Sequence, residues 1–543
     1  MNRPAKQLSH PSLSEIKLLA GSPFYDRQKN MNDFLLAQDD DRMLYNFRKA
    51  SGLSVRGALP MTGWDAEECK LKGHTTGHYL SGLALAYSAT GDERFLRKLE
   101  YMVSGLAECQ EAFSSVPGIH KGFLSAYNEE QFDLLEEFTK YPEIWAPYYT
   151  LDKIMSGLLD AYELAGVGQA LQILDPLGDW VYARLSRLPG EQRGKMWSMY
   201  IAGEYGGMIG TMIRLGRITG KESHIKAARL FENPALFGQM EAGRDELDNM
   251  HANQHIPQII GALEMYSVCG DNKYLDIARN FAEIVTEHHY YLTGGTGEGE
   301  LFHAPDSELS YLTDKTQESC ASFNMLRLIG RLHEYLPSPR LMAHYERTLF
   351  NHLLMSQSHS ADGGTTYFLP LTPGSVKHYE TEENSCCHGT GMESRYRFMR
   401  DIFAYDENVM RIELPVSSSL RGAEDLEVTF GNDGKLRIRA LSKMKRALSV
   451  RIPEWALDKY PDVKDGYLTM PGLGEGESVE LDFPSVTRRI YAASDNNIFV
   501  LAKGPYLLAE VSEDKELRKP SDDAGLLPLH RIDQEHYHIY FRK

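Results

Sequence analysis

Apolar residues recur at helical spacing from about residue 30 to 400, and the runs end alike. Leu83-Ala84-Leu85-Ala86-Tyr87 leads into Gly91-Asp92, Leu158-Leu159-Asp160-Ala161-Tyr162 into Gly166, Met212-Ile213-Arg214-Leu215 into Gly220, and Leu263-Glu264-Met265-Tyr266 into Gly270-Asp271. Each is an apolar stripe, then a glycine where a helix would stop, then a second helical stretch such as Lys273-Tyr274-Leu275-Asp276-Ile277-Ala278-Arg279. Recurrence at roughly 50 to 75 residues marks stacked helical hairpins. The length suits a closed ring of hairpins, an (α/α)-type barrel, better than an open solenoid; the alternative is an irregular helical domain with ordinary glycine caps.

After about residue 405 the period changes to two. Met410–Leu414, Leu426–Phe430, Leu436–Arg439, Leu448–Ile452, Ser478–Phe483 and Ile498–Ala502 read as short strands between Gly, Asp, Asn and Pro turns, which predicts a β-sandwich packed on the barrel. The last stretch is too mixed to assign. The expectation is a multidomain α+β chain: an N-terminal segment, residues 1–30, with a strand able to join the β-region; a helical barrel, 31–404; and a β-sandwich region, 405–543.

Composition changes this picture little. Apolar residues make up 42% of 543, enough for large cores. The formal charge of −18, with no basic stripe, argues against nucleic acid or an anionic membrane as partner. The start, Met1-Asn2-Arg3-Pro4-Ala5-Lys6, lacks the apolar core of a signal peptide, and no later stretch is long enough to span a bilayer. A cytoplasmic protein is expected, with Cys69, Cys109 and Cys269 free and buried. Oligomeric state is not legible; a homodimer stays open.

Candidate chemistry gathers in two pieces, Gln317-Glu318-Ser319-Cys320-Ala321-Ser322 and Glu383-Asn384-Ser385-Cys386-Cys387-His388-Gly389. Adjacent cysteines bridge each other only with strain, but they can share one soft metal ion. Cys320, Cys386, Cys387 and Glu318 make a four-coordinate zinc set, with a buried pair or a purely structural zinc clip as the plainer reading. Helical spacing after Cys320 puts Glu318 and Cys320 at a helix start, where partial positive charge favours thiolate. Polar, aromatic and Gly-rich connections would meet at one mouth of a helical ring, among them those with Trp64, His74 and His78, Tyr149, Glu204, His251 and Glu300. Aromatics beside hydrogen-bonding groups suit a sugar, whose rings stack and whose rims carry hydroxyls. His74 and His78 have the spacing of a helical metal site, but Thr75 stands where HExxH needs Glu, so they are expected to orient a loop or touch ligand. A glycosidase needs two groups flanking the bond it cuts. Glu300 could give the proton, and a metal-bound thiolate at Cys386 or Cys387 could attack.

Gly73-His74-Thr75-Thr76-Gly77-His78-Tyr79, Trp145-Ala146-Pro147-Tyr148-Tyr149-Thr150-Leu151, Gly299-Glu300-Leu301-Phe302, Glu318-Ser319-Cys320 and Cys386-Cys387-His388-Gly389 resemble, in this order, the β-L-arabinofuranosidase family, glycoside hydrolase family 127, and its relative family 146. The resemblance implies an (α/α)6 barrel followed by β-sandwich modules and exo-acting, retaining release of terminal β-L-arabinofuranosyl groups from a small oligosaccharide or glycoside. It implies Cys386 as nucleophile, Glu300 as acid/base, Zn2+ on Glu318, Cys320, Cys386 and Cys387, and His251 on the sugar. The chain departs from the pattern at Asp152, where many relatives carry His after Tyr-Thr-Leu, and near Glu204, where some carry His; both are expected to face the pocket. Extra carboxylates there would disfavour an acidic sugar. The rivals are a carbohydrate-binding protein, a hydrolase of the same fold with another sugar specificity, and a lyase or epimerase.

Overall fold

The computed structural model describes residues 4–521 and 525–543; residues 1–3 of the N-terminal segment and 522–524 of the strand region lie outside the described residues. The principal helices are α1 (Pro23–Ala37), α2 (His74–Thr90), α3 (Glu93–Phe113), α4 (Pro147–Ala165), α5 (Gly168–Ser186), α6 (Met208–Thr219), α7 (Glu222–Arg229), α8 (Ala252–Cys269), α9 (Asn272–His288), α10 (Ser319–His333), α11 (Pro339–Thr348) and α12 (Cys386–Arg397). Among the described residues, α2, α4, α6, α8, α10 and α12 pack one against the next and back to the first, closing an inner ring. The outer partners are α3, α5, α7, α9 and α11, and α1 covers α12, so the start of the chain completes the outer layer. This is an (α/α)6 barrel.

Burial separates the layers. Inner α2 is buried on nearly every face from His74 to Ala86, whereas outer α3 buries one stripe, including Phe95, Leu99, Met102 and Leu106. Glycine lets two inner helices approach closely. A side chain at Gly77 would meet the Lys153 backbone at 2.2 Å, and one at Gly157 the Gly77 carbonyl at 2.4 Å. Gly91 and Gly270 end α2 and α8 in the left-handed conformation, and the following Asp92 and Asp271 cap the next helix, which makes each inner-to-outer corner a two-residue device.

The strands follow. A five-stranded antiparallel sheet runs Ile16–Leu18, Ser418–Leu420, Leu426–Phe430, Lys435–Ala440, Ser478–Asp482, with Ile16 opposite Leu420. A four-stranded sheet runs Tyr467–Met470, Ala447–Arg451, Val409–Ile412, Phe403–Tyr405. Inward residues of both, such as Val428, Ile438, Ile412 and Val450, belong to the same core as the barrel. A third sheet, built on Ile498–Lys503 and Tyr506–Val511, has a separate core with Tyr291, Leu292, Met355 and Leu369. It organises the stretch the sequence left unassigned. Among the described residues no helix is long and apolar enough to cross a membrane.

Candidate active site

Two helix starts meet at the cysteines. Ser385 caps α12 by accepting from the His388 N–H, which puts Cys386 and Cys387 in the first turn; Glu318 occupies the cap position of α10, one residue before its first turn, where Cys320 sits. Cys386 Sγ lies 3.7 Å from Glu318 Oε1 and 3.9 Å from Cys387 Sγ, and Cys387 Sγ lies 3.9 Å from the same carboxylate oxygen. One ligand atom from each of the four residues falls within 4.8 Å of all the others, and all four residues are buried. A tetrahedral ion with bonds of about 2.3 Å to sulfur spaces its ligand atoms by roughly 3.7 Å, so the set has the right dimensions. Glu318 Oε2 supports the fit, being buried without a hydrogen-bond partner.

The electrostatics say the same. Burial first, then the Cys386 charge, pushes the Glu318 carboxyl well up, and burial raises both Cys386 and Cys387. Burial also opposes ionisation of Cys320, but hydrogen bonds from Cys386 and Cys387 outweigh it and bring this thiol down to about 7. Glu318, Cys386 and Cys387, forced together around Cys320, resist ionising unless a cation joins them.

The cluster floors one side of a small pocket, about 80 Å³, lined by Trp64, Tyr149, Glu204, His251, Glu300 and Cys386 among others. Every inner helix supplies lining residues from its first turn or the loop leading into it, so six positive helix ends face this mouth. Glu300 is held in the left-handed region, φ 72°, at the tip of the Gly297–Gly299 loop. Its carbonyl accepts from the Ala252 N–H at 2.8 Å, its Oε1 accepts from the Tyr367 hydroxyl, and its Oε2 lies 3.6 Å from His251 Nε2. His251 caps α8, its Nδ1 accepting from the Gln254 N–H at 3.2 Å. That assigns the proton to Nε2, which faces Glu300. Burial lowers the His251 pKa, against the pull of Glu300. Glu204 Oε1 is buried without a partner, and burial, then the charges of Glu300 and Cys386, push its carboxyl up to about 8. Trp64 stands 4.9 Å from Trp145 and 6.0 Å from Tyr367, forming an aromatic wall.

Three expected contacts lie elsewhere. His74 and His78 do not line the pocket, and neither does Asp152. His74 sits fully buried behind Trp64 and Tyr149, its Nδ1 3.1 Å from the Leu71 carbonyl. His78 is one turn deeper and pairs with Glu393 at 2.7 Å. Asp152 faces inward as well, accepting from Thr211 Oγ1 at 2.6 Å and the Gly207 N–H at 3.0 Å. The reason is position along the helix: His78 and Asp152 stand a turn beyond the starts of α2 and α4, on the shaft side, where they line a second cavity. Trp145 and Asn253, in connections expected at the mouth, also line the pocket, and so does Tyr367, which was not among the expected site residues.

Residues 15–400 match the model of the β-L-arabinofuranosidase GH127 catalytic domain. The chain belongs to glycoside hydrolase family 127. Its structure is similar to a GH127 β-arabinofuranosidase (TM-score 0.77, 16% identity, 99% of this chain and 98% of the other). It is similar also to a GH127 β-L-arabinofuranosidase from Geobacillus stearothermophilus T6 (TM-score 0.70, 15% identity, 99% and 100%) and to a further glycoside hydrolase (TM-score 0.70, 12% identity, 99% and 98%). At such identities the likeness to these structures is one of fold. No curated protein matches the chain. As a family 127 glycoside hydrolase it takes a carbohydrate substrate, and a buried Glu/Cys3 cluster able to hold a metal ion stands beside its pocket.

Proposed function

We propose that this glycoside hydrolase is a retaining exo-enzyme that removes terminal β-L-arabinofuranosyl units, with Cys386 as nucleophile and Glu300 as acid/base. The observation that carries the reading is that Cys386 and Glu300 line one small pocket together. Glu318, Cys320, Cys386 and Cys387 would hold Zn2+. Bound there, zinc supplies positive charge that keeps the sulfur ionised and aimed.

The chain's own groups do the rest. Cys386 Sγ bonds to the anomeric carbon as the bond to the leaving oxygen breaks, and Glu300 passes its proton to that oxygen. Glu300 then takes a proton from water, whose oxygen bonds to the anomeric carbon as sulfur departs, so two inversions restore the configuration. Tyr367 and His251 hold the two oxygens of Glu300 in place for both steps. Glu204, kept neutral at pH 7 by burial and its neighbours, offers a proton to a sugar hydroxyl. Its carboxyl is the feature that favours a related rare sugar as the second reading. Six free cysteines fit a reducing cytoplasm.

The test is hydrolysis of an aryl β-L-arabinofuranoside by the native chain and by Cys386→Ser. Release of sugar with retained configuration, lost in the variant, supports the reading; near-native turnover by the variant sinks it.

A further inference from the structure

The end of the barrel opposite the mouth opens on a cavity that the chemistry above does not use. It encloses about 410 Å³ and is lined by later turns of the inner helices together with Lys6 and Leu13 of the N-terminal segment. It adjoins the shaft cavity of about 70 Å³, and Asp160, Arg214, Glu264, Arg327 and Arg397 line both. Seven basic side chains face the larger space. Six of them reach a carboxylate, from Arg400 on Glu334 at 2.5 Å to Arg217 on Glu264 at 3.5 Å. Those carboxylates are already shared: Glu334 serves Lys6, Arg331 and Arg400, and Asp160 serves Arg214 and Arg397.

Arg327 is the exception. Its Nη1 donates to Asn324 Oδ1 at 3.1 Å, and among the described residues Nε and Nη2 have no partner and no carboxylate pairs with the side chain. The Phe323 ring, 5.7 Å from the guanidinium carbon, lies against it, so its free edge belongs to the two cavities. Burial, then the charge of Arg397, disfavours the cation, against weaker pulls from Glu393 and Asp152. Arg397 uses Nε and Nη2 on Glu393 and Asp160, and its Nη1 has no partner among the described residues.

We propose that Arg327 anchors an oxyanion site that takes a phosphate group, free or carried on a small molecule. A guanidinium edge with two free donors matches two oxygens of a tetrahedral anion, and the unused Nη1 of Arg397 lines the same space. The site is independent of the sugar chemistry at the mouth. Its place in the fold gives it a consequence there all the same. Arg327 follows Cys320 by seven residues on α10, about 10 Å along the helix axis, and Arg397 ends α12, which begins at Cys386. An anion held by both arginines ties together the far ends of the two helices that carry the cysteines, and stabilises the barrel in proportion to its occupancy.

The experiment titrates inorganic phosphate into the native chain, Arg327→Gln and Arg327→Lys at constant ionic strength in chloride, by calorimetry and by unfolding midpoint. The native chain should bind one phosphate and gain several degrees; Arg327→Gln should bind at least about tenfold more weakly and lose that gain, and Arg327→Lys, which keeps the charge without the fork, should fall between. In chloride alone Arg327→Gln should unfold no lower than the native chain, because it removes a charge that no carboxylate answers. A lower midpoint there counts against the site. Absence of binding to the native chain up to about 10 mM phosphate overturns it, and so does equal binding by the native chain and Arg327→Gln. Tighter Arg327-dependent binding of a pentose 5-phosphate than of the bare ion supports the site with a carried phosphate, and equal binding supports it with the free ion.

Discussion

At the mouth of the inner ring Glu204, Glu300 and Glu318 gather with Cys386 around one pocket, and His251 is the basic side chain among its lining residues. Farther along the same helices Arg214, Arg327 and Arg397 stand among Asp160, Glu264 and Glu393. Both regions are buried and both are rich in ionisable groups. In the deeper one the charges answer each other: Arg397 reaches Asp160 at 2.8 Å and Glu393 at 2.7 Å, and Arg214 reaches Asp160 at 2.8 Å. At the mouth they do not, and acceptors crowd acceptors. Paired charge holds a ring of helices together; unpaired charge is left for something from outside, a cation at the sulfurs and a substrate at the carboxyls.

Substitutions should therefore fail differently at the two depths. At the mouth, Cys386→Ser should cost about 10³-fold or more in turnover while lowering the unfolding midpoint no further than metal removal does, and Glu300→Gln should spare substrates with good leaving groups. Equal losses on good and poor leaving groups would count against Glu300 as donor. In the shaft, Arg397→Met removes the cation that Asp160 and Glu393 share, leaving them Arg214 and His78 respectively, and should cost about 2–3 kcal/mol in urea unfolding. A loss under about 1 kcal/mol would erase the contrast between the regions.

A third prediction uses pH. Burial alone would raise the carboxyl of Glu334, but Arg331, Arg400 and Lys6 outweigh it and hold it at about 2. A depressed carboxyl stabilises the fold fully above its ordinary range, near 4.5, and that stabilisation fades as pH falls toward 2. Native chain and Glu334→Gln should differ by on the order of 3 kcal/mol at pH 7, and the gap should narrow at pH 3. A gap that does not narrow refutes the ion-pair account. The smallest effect is expected from metal removal: a strong chelator should lower the unfolding midpoint of the native chain by several degrees and leave that of Cys320→Ser/Cys387→Ser unmoved, with metal content measured alongside.

The contrast also marks what the sequence could disclose. Helix corners were legible because one residue decides each of them: Gly91, Gly166, Gly220 and Gly270 all adopt left-handed backbone at helix ends. Strands such as Leu426–Phe430 were legible because alternation has one meaning on a half-buried sheet. The sheet from Tyr506 onward was not: Tyr506–Val511 is buried on both faces, which removes the alternation, and the strands after it are only two or three residues long. Spacing could bring Cys320 to a helix start, but not reveal that Tyr367, in an irregular stretch, reaches back to Glu300. Asp152 was misplaced for a related reason. A residue in an all-round buried helix carries no mark of which end of the ring it serves.

The pairing of Ile16–Leu18 with Ser418–Leu420 bears on how the molecule comes into being. A ribosome must deliver about 400 residues after the first of these segments before its partner exists. Until then the early strand waits with its edge open and α1 has no α12 to cover, so the ring cannot mature in the order in which it is made. Closure falls to the last helix of the ring, and the paired cysteines ride on it.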